Sequence, residues 1–176
     1  MGTYASARGE KPAEVAHRPE GRNTIVTVWL AAGAAAPEVA WGPDYAAAAA
    51  ALTIENALDQ TITMGRTPLL WTYSVPDANY SEVKFGFDDP IGNNKIGHVA
   101  MTNEATISGE IFRSGGGWHI NNESGAWGNM GGHGGKTQML TQAAQFMTAN
   151  CGGMVVVANR AYSRKGLKRK IQQIFR

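Results

Sequence analysis

Apolar and polar positions alternate in short bursts over most of this chain and take up a helical period in only a few places. Residues 24–30 (TIVTVWL) are β-branched and predict a first strand. After a small-residue loop to Pro43, Asp44 stands where a helix cap belongs, and an alanine-rich helix is expected to end near Met64. In it Ile54, Leu58 and Ile62 recur every fourth position, and Gly65 is its stop. Pro68 opens a strand over 69–75 that Pro76 closes. Residues 83–87, 96–101 and 106–113 read as three further short strands. Residues 114–117 (SGGG) then form a four-residue hairpin connection into a strand over 118–122. That loop pairs Ile111 with Ile120 and Glu110 with Asn121. Ile107, Ile111 and Ile120 then share the buried face, and Glu110, Phe112, His119 and Asn121 share the other.

The helical period is clearest over residues 137–150, where Met139, Leu140, Ala143, Phe146 and Met147 repeat every three or four positions before Gly152-Gly153. Residues 154–158 (MVVVA) read as a buried central strand. Ser163 can cap a final helix whose Leu167, Ile171, Ile174 and Phe175 make an apolar stripe largely surrounded by Arg and Lys. Residues 1–23 are polar, hold Pro12 and Pro19, and show no period, so a flexible linker or tail is expected there. The pattern therefore predicts one α+β domain over 24–176, a mainly antiparallel sheet with two or three flanking helices and a basic C-terminal helix.

Charge changes this picture most. Residues 1–123 carry all 14 acids and eight of the 16 Lys and Arg; residues 124–176 carry the other eight and no acid. The total of +2 thus conceals a basic final third, which calls for an anionic partner. Nucleic acid or the ribosome fits such a surface, as does an acidic protein such as a cognate immunity-type inhibitor. Lys165, Lys168, Arg169 and Lys170 are the expected contacts. No apolar run approaches the length of a membrane span. The lone Cys151 has no internal disulfide partner and reads as a small core residue.

The chemistry-bearing residues concentrate in one stretch, in which His98, Glu110, His119, Asn121, Asn122, Glu123 and Ser124 fall within 27 positions. A His and a carboxylate sharing a pocket supply general acid–base chemistry, and Asn and Ser can hold an amide or a ribose hydroxyl. Asn-Asn-Glu-Ser-Gly is also ordinary turn composition. No metal site is expected, because Asp88-Asp89 read as solvent-facing turn acids. Residues 131–135 (GGHGG) are a weak anion-binding candidate ahead of the helix that follows them.

Gly97-His98 with Met101, Ser108-Gly109-Glu110-Ile111, Gly117-Trp118 and residues 120–125 (INNESG) form a block that resembles two groups. One is the C-terminal domain of plant IQ-motif, calmodulin-binding proteins; the other is C-terminal effector domains of bacterial secreted or polymorphic toxins. The resemblance covers residues 95–158. In that pattern Ser-Gly is followed by His-Tyr, whereas Ser124-Gly125 is followed here by Ala126-Trp127. The resemblance implies candidate positions for His98, Glu110 and Ser124 and leaves the reaction open.

Two function classes follow. The first is a cytotoxic effector enzyme, secreted or injected and acting in the target-cell cytoplasm on nucleic acid or the translation apparatus. ADP-ribosyl transfer from NAD needs a late carboxylate, for which Glu110 and Glu123 are the last acids in the chain. A metal-independent ribonuclease needs a base and a phosphate-binding cation, for which His98 or His119 with Arg113 would serve. ADP-ribosyl transfer is placed first. The second class is a non-catalytic binding module working through the basic tail, in which His98, Glu110 and Ser124 merely brace the hairpin.

Overall fold

The computed structural model describes residues 23–77, 79–91, 94–96, 98–102, 105–123 and 132–159. The strands β1 (Thr24–Ala31), β2 (Glu38–Trp41), β3 (Leu69–Asp77), β4 (Tyr80–Phe87), β7 (Ile107–Ser114), β8 (Gly117–Ile120) and β9 (Val156–Ala158) form a seven-stranded sheet. Its order is β2-β1-β4-β3-β7-β8-β9, antiparallel throughout except for the β8–β9 pair. Between β4 and β7 the chain makes a small antiparallel ribbon of β5 (Asp89–Ile91) and β6 (Asn94–Ile96). The described helices are α1 (Ile54–Thr63), the single turn α2 (His98–Met101) and α3 (Gly132–Asn150). The α+β, mainly antiparallel architecture is the one the sequence pattern predicts. No described helix is long and apolar enough to cross a membrane.

The core lies on one face of the sheet. Val26 and Val28 of β1, Val83 and Phe85 of β4, Trp71 of β3, Ile107 and Ile111 of β7 and Ile120 of β8 meet Ala57 and Leu58 of α1 and Leu140, Ala143 and Met147 of α3. All are fully or nearly fully buried. Tyr73 packs against Phe146 with ring centroids 5.6 Å apart. Cys151 is buried in the same cluster.

Several expected boundaries differ. The helix placed from Asp44 to Met64 is broken: Ala46–Ala51 is a 3-10 turn without a buried residue, and Leu52 is extended. Six alanines have no apolar face to pack, and a short helix without packing is marginal. Thr53 caps α1 instead, its hydroxyl accepting the Asn56 N–H at 3.1 Å, while Asp44 pairs with Arg66 at 3.0 Å. The stop at Gly65 is as expected: its φ is +76°, its N–H reaches the Ile62 carbonyl, and the Arg66 N–H reaches that of Thr61.

Residues 96–101 were expected as one strand; β6 ends at Ile96, and His98–Met101 turn into α2. Strand β3 runs through Pro76 to Asp77, with a register irregularity after Ser74. The 114–117 connection is tighter than expected, because Ser114 and Gly117 pair and only Gly115-Gly116 turn, at φ +59° and +84°. Helix α3 begins at Gly132, earlier than the apolar period shows. The valine run proves to be the outermost described strand, with Val155 and Val157 exposed and Val156 buried. The predicted helix beginning at Ser163 and the tail over 1–22 lie outside the described residues.

Candidate functional site

The two-glycine turn fixes the β7–β8 register, and with it the candidate site. Ile111 faces Ile120 and Phe112 faces His119, so Glu110, Phe112, His119 and Asn121 share the face away from the core, as the alternation predicts. The Phe112 and His119 rings stack with centroids 5.6 Å apart and planes 17° apart. Asn159 Nδ2 lies 3.3 Å from His119 Nδ1 and donates to it, which leaves the ring proton on Nε2.

Glu110 is held through its backbone. Its N–H donates to Asn121 Oδ1 at 2.9 Å, and its carbonyl accepts from the Asn121 N–H and from Trp71 Nε1, both at 3.1 Å. The same Asn121 Oδ1 accepts the Glu123 N–H at 3.0 Å. Asn121 is thus a buried brace rather than an exposed substrate contact. Glycine is required at 109, where an added Cβ would stand 1.8 Å from the Asn121 carbonyl oxygen. His98 Nε2 donates to the Gly109 carbonyl at 2.8 Å. Desolvation pulls the His98 pKa down, against smaller opposing effects of that hydrogen bond and of Asp88, and favours the neutral ring.

Glu110 also lines a cleft of about 520 Å³ between the C-terminal half of α1 and the ends of β3 and β7. Ile62, Pro68, Leu69, Ile111 and Phe112 make its apolar wall, with Asp59, Thr63 and Arg113 at its polar margin. This size suits one small organic ligand or part of a larger one.

Arg113 belongs to the opposite face of β7. Its guanidinium meets Asp59 at 2.8 and 3.2 Å and Glu55 at 2.7 Å, and lies 4.6 Å from the centre of the Trp118 ring. Trp118 Nε1 donates to the same Glu55 oxygen at 3.1 Å. The two carboxylates raise the Arg113 pKa further, Asp59 the more. The cation expected to hold a phosphate is engaged by acids from α1.

Glu123 is exposed and Asn122 half-buried beyond Asn121. Ser124, Lys165, Lys168, Arg169 and Lys170 lie outside the described residues. Of the GGHGG run, residues 132–135 belong to α3 itself. Among the described residues no group of three or more His, Cys, Asp and Glu is arranged to hold a metal ion.

Sequence reasoning missed Asp59 and Glu55, although their four-residue spacing puts both on one face of α1. It also missed a buried ion pair in β4: Glu82 and Lys84 are 2% and 0% exposed, with Lys84 Nζ 3.9 Å from Glu82 Oε1 and donating to the Met101 carbonyl at 2.9 Å. Strict alternation in YSEVKFGF puts both on the face that carries Glu110, and Thr27, Thr72 and Ser108 are their buried neighbours there.

Comparison with known proteins yields no matching family model, no similar curated protein and no similar solved structure.

Proposed function

We propose that this chain is the catalytic domain of a cytotoxic effector, delivered into a target cell, that transfers ADP-ribose from NAD to nucleic acid or to the translation apparatus. The observation that carries the reading is the position of Glu110, held by its backbone hydrogen bonds beside an apolar cleft and on the sheet face that also carries Phe112 and His119. The resemblance of residues 95–158 to toxin effector domains points the same way.

The cleft fits one end of NAD rather than the whole molecule. An aromatic ring and its sugar suit about 520 Å³, and the phosphates remain outside. When bound, NAD supplies an N-glycosidic bond whose electron pair leaves with the nicotinamide ring, freeing the sugar carbon for a new bond. Glu110 orients a ribose hydroxyl and faces the positive charge that develops as that bond breaks. Phe112 and Leu69 exclude water from the ring. Glu123, exposed beyond Asn121, accepts the proton of the attacking group.

A second reading, a metal-independent ribonuclease, is favoured by one observation: His119, stacked on Phe112 and hydrogen-bonded to Asn159, shares a sheet face with Glu110, which pairs an imidazole with a carboxylate on one surface. It stands behind the first because Arg113, its expected phosphate-binding cation, already meets two carboxylates.

Incubation with radiolabelled NAD and a ribosome-containing extract, followed by separation of RNA from protein, tests the proposal. Label on either fraction supports it and names the target class. Shortened RNA without label favours the ribonuclease, and neither outcome favours a binding module.

A further inference from the structure

On the face away from α1 and α3 the sheet carries a buried polar layer. Thr27 of β1, Lys84 of β4, Thr72 of β3 and Ser108 of β7 stand side by side across four strands. Trp29, Glu82 and Ser74 form the next row on the same face. All of these residues are at most 4% exposed. Helix α2 lies over the layer: the Met101 carbonyl accepts from Lys84 Nζ at 2.9 Å, and a Cβ added at Gly86 would meet Met101 Sδ at 2.8 Å.

Four atoms of this layer, Thr27 Oγ1, Trp29 Nε1, Glu82 Oε2 and Ser108 Oγ, are buried without a hydrogen-bond partner among the described residues. A buried polar group left unpartnered costs more than a hydrogen bond gains, and protein interiors almost always supply a partner, from the chain or from ordered water. The chemistry of the four atoms says what that partner is. It accepts from the indole, donates to an ionised carboxylate, and does either for the hydroxyls. It is uncharged, because Lys84 Nζ, 3.9 Å from Glu82 Oε1, already balances the acid. It is small, because it shares a closed layer in which short Thr and Ser side chains leave the room. Water meets all three conditions.

We infer that the polar layer beneath α2 is an internal hydration site, where bound water molecules are the partners of Trp29 Nε1, Glu82 Oε2, Thr27 Oγ1 and Ser108 Oγ. This goes beyond the proposed function and does not depend on it. Bound water then does for this face what apolar packing does for the other, tying β1, β4, β3 and β7 together.

A crystal structure of the full chain, at a resolution that shows ordered water, tests the inference. The expected result is water within hydrogen-bond distance of Trp29 Nε1, Glu82 Oε2 and at least one of the two hydroxyls. Thr27→Val supplies an independent measurement, since it nearly keeps the side-chain shape and removes one partner of the water. It should lower the melting temperature by about 2–4 °C. In a dry layer the same change removes an unpartnered hydroxyl, and the melting temperature stays level or rises. Direct pairing of the four atoms with protein groups, a larger molecule in the layer, or a Thr27→Val protein at least as stable as the parent would overturn the inference.

Discussion

Asn121 Oδ1 accepts the backbone N–H of Glu110 at 2.9 Å and so ties the end of β8 to the residue on which the proposed chemistry rests. The same oxygen takes the Glu123 N–H, and the brace is sealed because position 109 has no Cβ to push the Asn121 carbonyl away. Asn121→Ala leaves two backbone donors without this acceptor, which should cost about 2–4 kcal/mol. Gly109→Ala should be worse, since it collides with backbone rather than with a movable side chain. Urea denaturation of both variants checks the order; a Gly109→Ala protein as stable as the parent would refute the tight junction.

Arg113 and Asp59 form a two-bond ion pair whose side chains are 37% and 42% exposed, so solvent screens it. A double-mutant cycle with Arg113→Ala and Asp59→Ala should give a coupling of at most about 1 kcal/mol, shrinking in 1 M salt. Arg113→Ala should also leave RNA affinity unchanged. A large loss of RNA binding would restore Arg113 as the phosphate contact of a ribonuclease.

The Glu82–Lys84 pair is a different electrostatic regime, because neither side chain meets bulk water. Burial raises the Glu82 pKa above its ordinary value, and Lys84 offsets only part of that. Such a group contributes stability that is present below its unfolded pKa and lost as pH rises through the folded value. Lys84→Met removes the offset and should cost about 3–5 kcal/mol at neutral pH, with part regained on acidification. Adding Glu82→Leu should recover most of the loss. Chemical denaturation of the three variants at neutral and mildly acidic pH decides it. A double variant no better than Lys84→Met alone would show that the pair is held for other reasons.

His98 has the opposite sign. Its folded pKa lies below the ordinary histidine value because burial disfavours the imidazolium. Its contribution is therefore complete above about pH 6.5 and declines as pH falls below it, when the unfolded chain takes up the proton. His98→Gln should flatten the stability profile between pH 7 and 5. An unchanged slope would mean that another group carries the acid sensitivity.

Cys151 is buried in the core, and its thiol is pushed up to about 12. At pH 8 it should react with a disulfide reagent only after denaturation. Rapid labelling of the folded protein would show that the end of α3 opens.

The α+β class, the hairpin register and the shared face of Glu110, Phe112, His119 and Asn121 were legible because period-2 alternation and a glycine turn act locally. The alanine run misled because high helix propensity at 46–51 has no apolar contact to support it. The valine run misled because residues 154–158 do not reveal which neighbour a strand will have. The role of Arg113 was hidden for a related reason: its partners Glu55 and Asp59 are more than 50 positions away, joined to it only by tertiary packing. Glu82 and Lys84 look like ordinary strand charges until α2 is laid over their face.

The central claim, that Glu110 acts on the glycosidic bond of NAD, is tested most directly by nicotinamide release. Purified wild type, Glu110→Gln and Glu110→Asp would each be given NAD and the ribosome-containing extract, with thermal unfolding measured in parallel. The account predicts release by the wild type, a loss of about 100-fold or more in Glu110→Gln and partial activity in Glu110→Asp, all at nearly unchanged stability. Equal release by wild type and Glu110→Gln, or none by the wild type, would contradict it.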